Sequence, residues 1–210
     1  MIASDQSVAQ AALHLSQHDA VLAPVIAKAG PCAIRPHKNY SQELVEAIIS
    51  QQLSVKAAAT ILARFKDLFG GQFPSPTQIL GKDIEAYRGV GLSRGKAAYV
   101  RDLAQHVIDG RVKFDHLDGL SNDQIIAELT AVKGVGEWTA HMFMMFCMGR
   151  LDVLAHGDLG IKNGVQKLYG LHKQPDAAAI QRLAKKNHWH PYESVACWYV
   201  WHSLDNKPAV

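Results

Sequence analysis

A short turn with two glycines is the first feature of the sequence that could do chemistry. Lys133-Gly134-Val135-Gly136 lies between two stretches whose apolar residues recur at helical spacing. Glycines allow the backbone to approach a phosphate closely, and the helix that follows begins with amide N–H groups that favour an anion. The turn is therefore either an anion-binding hairpin, with Lys133 directed to phosphate, or an ordinary interhelical turn that Val135 holds against the core.

A carboxylate about twenty residues further along is the second such feature. Asp158 follows Gly157 and precedes a helical pattern that begins at Leu159. The dipole of that helix favours the ionised form of a carboxylate at its N-terminus. Asp158 is then a helix N-cap, a fixed anion that can stabilise developing positive charge, or both.

Helices must position these groups, because apolar residues recur at helical spacing along nearly the whole chain and alternating strand patterns are almost absent. The predicted fold class is all-α. One helix is expected to begin with Ser41 as its N-cap and to be interrupted at residues 51–54, and Pro74 and Pro76 mark a loop. Further helices are predicted over residues 7–28, 55–69, 84–88, 94–108, 122–131, 137–148, 159–168, 176–186 and 191–203.

A segment similar to this turn occurs earlier in the chain. Residues 88–93, Arg-Gly-Val-Gly-Leu-Ser, are similar to residues 133–138, Lys-Gly-Val-Gly-Glu-Trp, and each segment lies between two helical patterns. Two helix–turn–helix units with the same short turn are therefore predicted.

The net charge of the chain restricts how the protein could bind a nucleic acid. The 210 residues carry a formal net charge of only +3, so a nucleic-acid site must be a local patch rather than a whole basic surface. The basic pairs available for such a patch, each of which could equally be a solvated helix face, are Arg35 with Lys38, Arg94 with Lys96, and Lys185 with Lys186.

Three widely spaced cysteines, Cys32, Cys147 and Cys197, offer no iron–sulfur or cysteine-rich zinc pattern. No metal site and no cofactor is therefore expected. The N-terminus lacks a secretion-signal pattern, and no stretch of about 18 apolar residues occurs. A soluble intracellular protein is expected, located in the cytoplasm of a bacterium or the nucleus of a eukaryote.

The turn and the aspartate belong to a longer pattern. Its parts, in chain order, are Ile49-Ser50-Gln51-Gln52-Leu53-Ser54, Gly91-Leu92-Ser93-x-x-Lys96, Leu129-x-x-Val132 before the turn, Trp138-Thr139-Ala140 after it, Asp152-Val153-Leu154-x-x-x-Asp158-Leu159-Gly160, and a late Trp201. From about Tyr40 to Trp201 the chain resembles the helix-hairpin-helix DNA glycosylases, and more closely their alkylpurine branch, the 3-methyladenine DNA glycosylases.

The resemblance implies two helical lobes with a DNA-facing cleft between them. The central lobe, with the hairpin, is expected over residues 37–150. The second lobe is expected to combine residues 1–36 with residues 151–210. Both lobes together form one glycosylase domain over residues 1–210.

The resemblance also carries the family's catalytic aspartate onto Asp158. Breaking an N-glycosidic bond leaves positive charge on the sugar, and a fixed anion stabilises that charge. In family members that also cleave the DNA backbone, a lysine at the position of Trp138 forms a Schiff base, which an indole cannot do. The expected enzyme is a monofunctional hydrolase without lyase activity, which uses water, leaves an abasic site and so starts base excision repair.

The target nucleotide must leave the base stack before this chemistry. The resemblance assigns Gln52, Leu53 and Ser54 to DNA, with Gln52 or Leu53 as the wedge, whereas the residues alone leave open that Gln52 caps a helix and Leu53 is core. The residues expected to bind the DNA backbone at the hairpin are Lys133, Gly134, Val135, Gly136 and Thr139.

Aromatic faces attract a cationic methylated purine by stacking and cation–π contact. The expected substrate-binding residues are Trp138, Trp201, Met142 and Tyr192, although any one tryptophan could equally be core. Met142 stands where some relatives place an aromatic residue. The preferred alkylated base is therefore not fixed by the sequence.

The leading hypothesis is an enzyme that removes alkylated purines, chiefly 3-methyladenine and 7-methylguanine, from double-stranded DNA. It is expected to act as a monomer, away from membranes. The alternative is a non-enzymatic protein of the same fold that binds lesions or abasic sites, which would not require Asp158 or the pocket tryptophans. A glycosylase for deaminated or oxidised bases comes third, because Trp138 and the missing cluster cysteines count against it.

Overall fold

The computed structural model describes residues 1–37 and 39–204, so Lys38 of the Arg35–Lys38 pair lies outside the described residues. Within the described ranges the regular elements are helical, apart from an isolated antiparallel bridge between Ile2 and Arg150. The all-α prediction is confirmed. None of these helices is long and apolar enough to cross a membrane.

The helices, in chain order, are α1 (Asp5–His18), α2 (Ala23–Ala29), α3 (Tyr40–Ser50), α4 (Val55–Asp67), α5 (Pro76–Leu80), α6 (Ile84–Gly89), α7 (Arg94–Ile108), a 3-10 turn (Leu117–Gly119), α8 (Asn122–Thr130), α9 (Glu137–Met142), a π-helical segment (Phe143–Cys147), α10 (Leu159–Leu168), α11 (Ala177–Lys186) and α12 (Glu193–His202). The predicted interruption after α3 is confirmed, and α7 and α10 have the predicted bounds.

The first predicted helix is in fact two helices, α1 and α2. Asp19 separates them, because its Oδ1 accepts hydrogen bonds from the amides of Val21 and Leu22, at 3.0 and 3.1 Å. The other carboxylate oxygen accepts from the hydroxyl of Tyr169 and from Nε1 of Trp189, the latter at 2.8 Å. This carboxylate is buried, so one side chain both ends α1 and ties the start of α2 to distant parts of the chain.

Two predictions about helix starts are wrong. Ser41 is not the N-cap of α3, because the helix begins at Tyr40 and its N-cap is Asn39, two residues before the predicted one. The predicted loop around Pro76 contains α5, because Ser75 and Gln78 form a reciprocal capping box and Pro76 takes the first helical position. The Ser-Pro-x-Gln pattern was the available signal for this helix.

The helix predicted over residues 137–148 changes its hydrogen bonding part of the way along. After α9 it continues as the π-helical segment, where Phe143, Met144, Met145 and Cys147 are buried. Met148, which follows this segment, is buried as well.

The chain divides into two compact units. The central unit is residues 39–140, and among the described residues the terminal unit combines residues 1–37 with residues 141–204. Residues 141–150, which the sequence analysis assigned to the central lobe, group with the termini. The physical reason is a direct pairing: the amide of Ala3 donates to the carbonyl of Gly149 at 2.7 Å, beside the bridge between Ile2 and Arg150.

Candidate functional site

Asp158 is the N-cap of α10, as one interpretation of the sequence proposed. Its Oδ1 accepts a hydrogen bond from the amide of Ile161 at 2.8 Å and another from Nε1 of Trp201, also at 2.8 Å. The carboxylate is half-buried in the terminal unit. Two donors from different helices therefore fix its position.

Two glycines allow α10 to approach α12 closely enough for this contact. A Cβ added at Gly160 would lie 2.8 Å from the Trp201 indole and 3.0 Å from Oδ1 of Asp158. One added at Gly164 would lie 2.4 Å from Cγ1 of Val200. Sequence reasoning missed both residues as determinants of the site, although glycines inside a helical pattern, which cost helix stability, were the available signal.

The indole of Trp201 is mostly buried, at 8% exposed. Its ring centroid lies 5.8 Å from that of Phe146, a half-buried residue of the π-helical segment that sequence reasoning also missed. A π-helical turn shifts side chains relative to an α-helix and is frequent at functional sites. Trp201 therefore has two partners, the carboxylate at its nitrogen and the phenyl ring beside it.

Cys197 is the buried thiol of α12 on which the charge of Asp158 acts. Burial raises the pKa of Cys197 to about 12, a hydrogen bond with the backbone of Ala155 lowers it, and the negative charges of Asp158 and Glu193 raise it further. The thiol stays neutral at physiological pH. It therefore contributes no second charge to the surroundings of Asp158.

The other predicted substrate-binding residues have different settings. Tyr192 is 5% exposed at the start of α12, with its ring edge-on to His14 at 5.2 Å, so it belongs to the packing of the terminal unit. Met142 is half-buried at the end of α9. Trp138 is 51% exposed on the same helix and belongs to the central unit. Asp158, Trp201, Met142 and Tyr192 thus belong to one unit and Trp138 to the other.

The predicted hairpin lies between α8 and α9. Gly134 has a φ of +84°, and a Cβ there would lie 2.2 Å from Cδ2 of Tyr99, so glycine is required on two grounds. The amide of Lys133 donates to Oδ2 of Asp102 at 2.9 Å, while the Lys133 ammonium is exposed. The carbonyl of Gly136 accepts from Ala140 in the first turn of α9. The backbone at Gly136 thus leads directly into a helix N-terminus.

Two of the residues assigned to DNA at the hairpin are buried. Val135 is 4% exposed and its amide donates to the carbonyl of Val132, which agrees with a role in holding the turn to the core. Thr139 is 6% exposed. Little of the surface of either residue is therefore available to DNA.

The two glycine-containing turns are similar in structure, but they align differently from the prediction. The GVG of residues 89–91 does not correspond to that of residues 134–136. Instead Gly91, with a φ of +106°, corresponds to Gly134, because each is followed by a buried residue and then by the residue that precedes a helix. In the first turn that last residue is Ser93, whose hydroxyl caps α7. The predicted alignment was wrong by two residues, since backbone conformation rather than letter identity sets the register.

The wedge loop, defined as residues 51–54, joins α3 to α4. Gln52 has a φ of +55°, which is uncommon for a residue other than glycine, and Leu53 is 38% exposed. Ser54, whose hydroxyl accepts from the amide of Ala57 at 3.3 Å, is the N-cap of α4. The alternatives in which Gln52 caps the helix and Leu53 is core are therefore wrong.

The basic pair of Arg94 and Lys96 is not a simple exposed patch. Arg94 pairs with Glu85 at 2.9 Å, and the half-buried Lys96 donates to backbone carbonyls of the central unit. Lys185 and Lys186 are exposed at the end of α11.

The chain is similar to proteins of a known family. Residues 45–188 match the family described as HhH-GPD superfamily base excision DNA repair protein. The chain is 34% identical over 200 residues to the DNA-3-methyladenine glycosylase 1 of Schizosaccharomyces pombe. The matched region covers 93% of this chain and 87% of that protein.

Two solved structures are also similar. A DNA-3-methyladenine glycosidase from Bacillus halodurans is 41% identical, with a TM-score of 0.82 and coverage of 90% of this chain and 86% of that one. The 3-methyladenine DNA glycosylase Mag1 of S. pombe, in complex with abasic DNA, is 34% identical, with a TM-score of 0.78 and coverage of 91% and 95%. The resemblance to the helix-hairpin-helix DNA glycosylases is confirmed, and the chain belongs to the HhH-GPD superfamily of base excision DNA repair proteins.

Proposed function

We propose that the protein is a monofunctional DNA glycosylase that flips alkylated purines out of double-stranded DNA and hydrolyses their N-glycosidic bond. The observation that carries the proposal is the fixed carboxylate of Asp158, held by Trp201 and by the first turn of α10. The names of the relatives, which are 3-methyladenine DNA glycosylases, support the substrate class. The protein is proposed to act as a monomer.

Asp158 acts on the sugar rather than on the base. As the glycosidic bond lengthens, positive charge develops on the sugar ring, and a carboxylate already oriented by two donors stabilises it without reorganisation. The same carboxylate can orient or deprotonate the attacking water. The products are then the free base and an abasic site.

Trp138 limits the reaction to hydrolysis. A Schiff base with the sugar needs an amine, and the indole that occupies this position has none to offer. The amine nearest in sequence, Lys133, lies in the hairpin turn with its ammonium 4.0 Å from a carboxylate oxygen of Asp102. It is better suited to phosphate than to the sugar.

The proposed bases are 3-methyladenine and 7-methylguanine, both of which carry positive charge as deoxynucleosides. Exposed aromatic faces attract such rings, and Trp138 is 51% exposed. Gln52 and Leu53, exposed in the wedge loop, would fill the space that the extruded nucleotide leaves.

A second candidate is a non-enzymatic protein that binds lesions or abasic sites. It is favoured by one observation: the hydrogen bonds of Asp158 include an ordinary N-cap contact with α10, which a purely structural aspartate would also make. The two functions differ in whether the charge at this position matters.

The test is incubation of methylated duplex DNA with the wild type and with Asp158→Asn, with released bases measured by mass spectrometry. Asparagine is also a good N-cap, so the variant keeps the cap and loses the charge. The matched control is Asp176→Asn, because Asp176 caps α11 through a similar contact to Ala179 at 2.7 Å. We expect release by the wild type and by the control only.

Full activity of Asp158→Asn would overturn the mechanism. No release by the wild type, together with tight binding to abasic DNA, would establish the second candidate. A covalent complex trapped with borohydride would show that the protein is not monofunctional.

A further inference from the structure

The wedge loop is attached to α7 through Lys96. The Nζ of Lys96 donates to the carbonyl of Ile49 at 2.8 Å and to that of Gln51 at 2.5 Å. The last carbonyls of a helix lack partners within the helix, and a cation there is favoured by the helix dipole. Lys96 therefore supports α3 at the point where the wedge loop begins. Burial lowers the pKa of its ammonium group, which agrees with the enclosed setting of this contact.

The same loop is attached to the hairpin through Gln51. The side-chain Nε2 of Gln51 donates to the carbonyl of Gly134 at 2.8 Å, across 83 positions of sequence. Gly134 is the left-handed residue of the hairpin. The first residue of the wedge loop thus contacts the residue that gives the hairpin its shape.

One face of α7 carries the supports of both loops. Lys96, Tyr99 and Asp102 are spaced three residues apart, which places them along one side of a helix. Lys96 binds the wedge loop, the ring of Tyr99 packs against Gly134, and Asp102 accepts from the amide of Lys133 at 2.9 Å. All of these residues belong to the central unit.

The wedge loop needs such support because its backbone is strained. Gln52 has a φ of +55°, and a residue other than glycine keeps this conformation only where its surroundings impose it. The two carbonyl contacts of Lys96 and the side-chain contact of Gln51 lie immediately before Gln52. Together with the hydrogen bond from the amide of Leu53 to the carbonyl of Ser50 at 3.1 Å, which closes the turn around Gln52, these contacts hold the strained residue in place.

We propose that Lys96 and Gln51 are positioning residues for base extrusion, which hold the wedge loop in a fixed register with the hairpin. The inference rests on the proposed function, because it assumes that the wedge loop enters DNA. The hairpin and the wedge loop then act as one rigid body. When the hairpin binds the DNA backbone, the wedge loop is already aligned with the nucleotide to be displaced.

The test separates extrusion from excision and from general DNA binding. Extrusion is measured by the fluorescence of 2-aminopurine placed beside a methylated purine in duplex DNA, excision by the single-turnover rate, and general binding by the Kd for undamaged duplex. The variants are Lys96→Met, which removes both donations, and Gln51→Glu, whose carboxylate cannot donate to the carbonyl of Gly134. Lys82→Met, which removes an exposed charge from the same unit, is the control.

We expect both variants to lower the fluorescence rise and the single-turnover rate by at least about tenfold, because small misplacements of positioning groups have effects of this size. The Kd for undamaged duplex should match that of the control. Lys96→Arg, which keeps the charge and can donate to two carbonyls, should restore most of the extrusion. A role in folding alone would not give this pattern.

Unchanged extrusion by Lys96→Met and Gln51→Glu would overturn the inference and leave the proposed function intact. If Lys96→Met does not fold, Gln51→Glu decides alone, since Gln51 is a half-buried loop residue. Extrusion by the wild type without excision would overturn the proposed function and leave the inference standing. Absence of extrusion by the wild type would contradict both.

Discussion

The indole nitrogen of Trp201 donates a 2.8 Å hydrogen bond to Oδ1 of Asp158. In the sequence these two residues are connected only by the family pattern, which assigns Trp201 a role toward the base. The contact gives Trp201 a second role, in which it orients the carboxylate from α12 while Ile161 orients it from α10. A hydrogen bond to an ionised partner is stronger than a neutral one, so this contact is well suited to orienting the carboxylate.

Trp201→Phe should lower the single-turnover excision rate by about 10- to 100-fold, since a hydrogen bond to a charged group contributes about 1.5–3 kcal/mol. The aromatic ring remains, so packing against Phe146 is kept. The control is Trp198→Phe, a buried tryptophan of the same helix whose ring packs on Tyr199 and His202. Equal losses in the two variants would mean that ring volume matters rather than the donor.

Gly160→Ala should impair excision strongly and lower the free energy of unfolding by about 1–3 kcal/mol, because the added methyl group meets the Trp201 indole at 2.8 Å. Gly157→Ala is the matched control, since a Cβ there has no neighbour within 4 Å. Excision assays and chemical denaturation measure the two effects. A fully active Gly160→Ala would show that the indole can move without cost to the reaction.

The hairpin glycines should separate stability from DNA binding. Gly134→Ala is expected to lower the free energy of unfolding, because of its φ of +84° and its contact with Tyr99. Gly136→Ala has open space around it and should fold normally, but it should weaken binding to duplex DNA if a phosphate approaches that backbone. Unchanged DNA affinity of Gly136→Ala would place the phosphate elsewhere.

Asp19→Asn should lower the free energy of unfolding by about 2–3 kcal/mol, because a buried carboxylate with four donors loses its charge and one acceptor. Asp83→Asn, at the exposed N-cap of α6, should change it by less than about 0.5 kcal/mol. Denaturant titrations of both variants give the comparison. Similar values for the two would contradict the role given to the buried network.

The free energy of unfolding should fall as the pH rises from 8 to 10. Burial raises the pKa of Cys32 and of Cys197 from 9.0 to about 12, whereas unfolded thiols ionise near the ordinary value. The stabilisation is therefore complete below pH 9 and is lost as the pH rises toward 12. Denaturation of the wild type and of the Cys32→Ala, Cys197→Ala double variant at both pH values checks this, and equal pH slopes would contradict it.

The helices were largely predictable because the apolar spacing of each is set locally. α7 and α10 have the predicted bounds, since Ser93 and Asp158 are recognisable N-caps. The division between α1 and α2 was not predictable, because it depends on the buried partners of Asp19 far along the chain. The π-helical segment was not predictable either, because none of its residue types indicates a π-helical turn.

Asp158, Trp201 and the hairpin could be predicted from the sequence, but neither their contacts nor the parts played by Gly160, Gly164 and Phe146 could be. Asp158 and the hairpin could be recognised because the residues of the family pattern have a characteristic spacing. The close approach of α10 to α12, which needs glycine at 160 and 164, depends on tertiary packing. The contact of Gln51 with Gly134 joins segments 83 positions apart. A periodic sequence pattern does not predict a contact between such distant segments.

The central claim is that the charge of Asp158 lowers the barrier to breaking the glycosidic bond. Its most direct test is the single-turnover rate of 3-methyladenine release at saturating enzyme, compared between the wild type and Asp158→Asn. We predict a rate at least about 100-fold lower for the variant, as for loss of a fixed transition-state contact, with unchanged affinity for abasic DNA. Equal rates in the two proteins would contradict the claim.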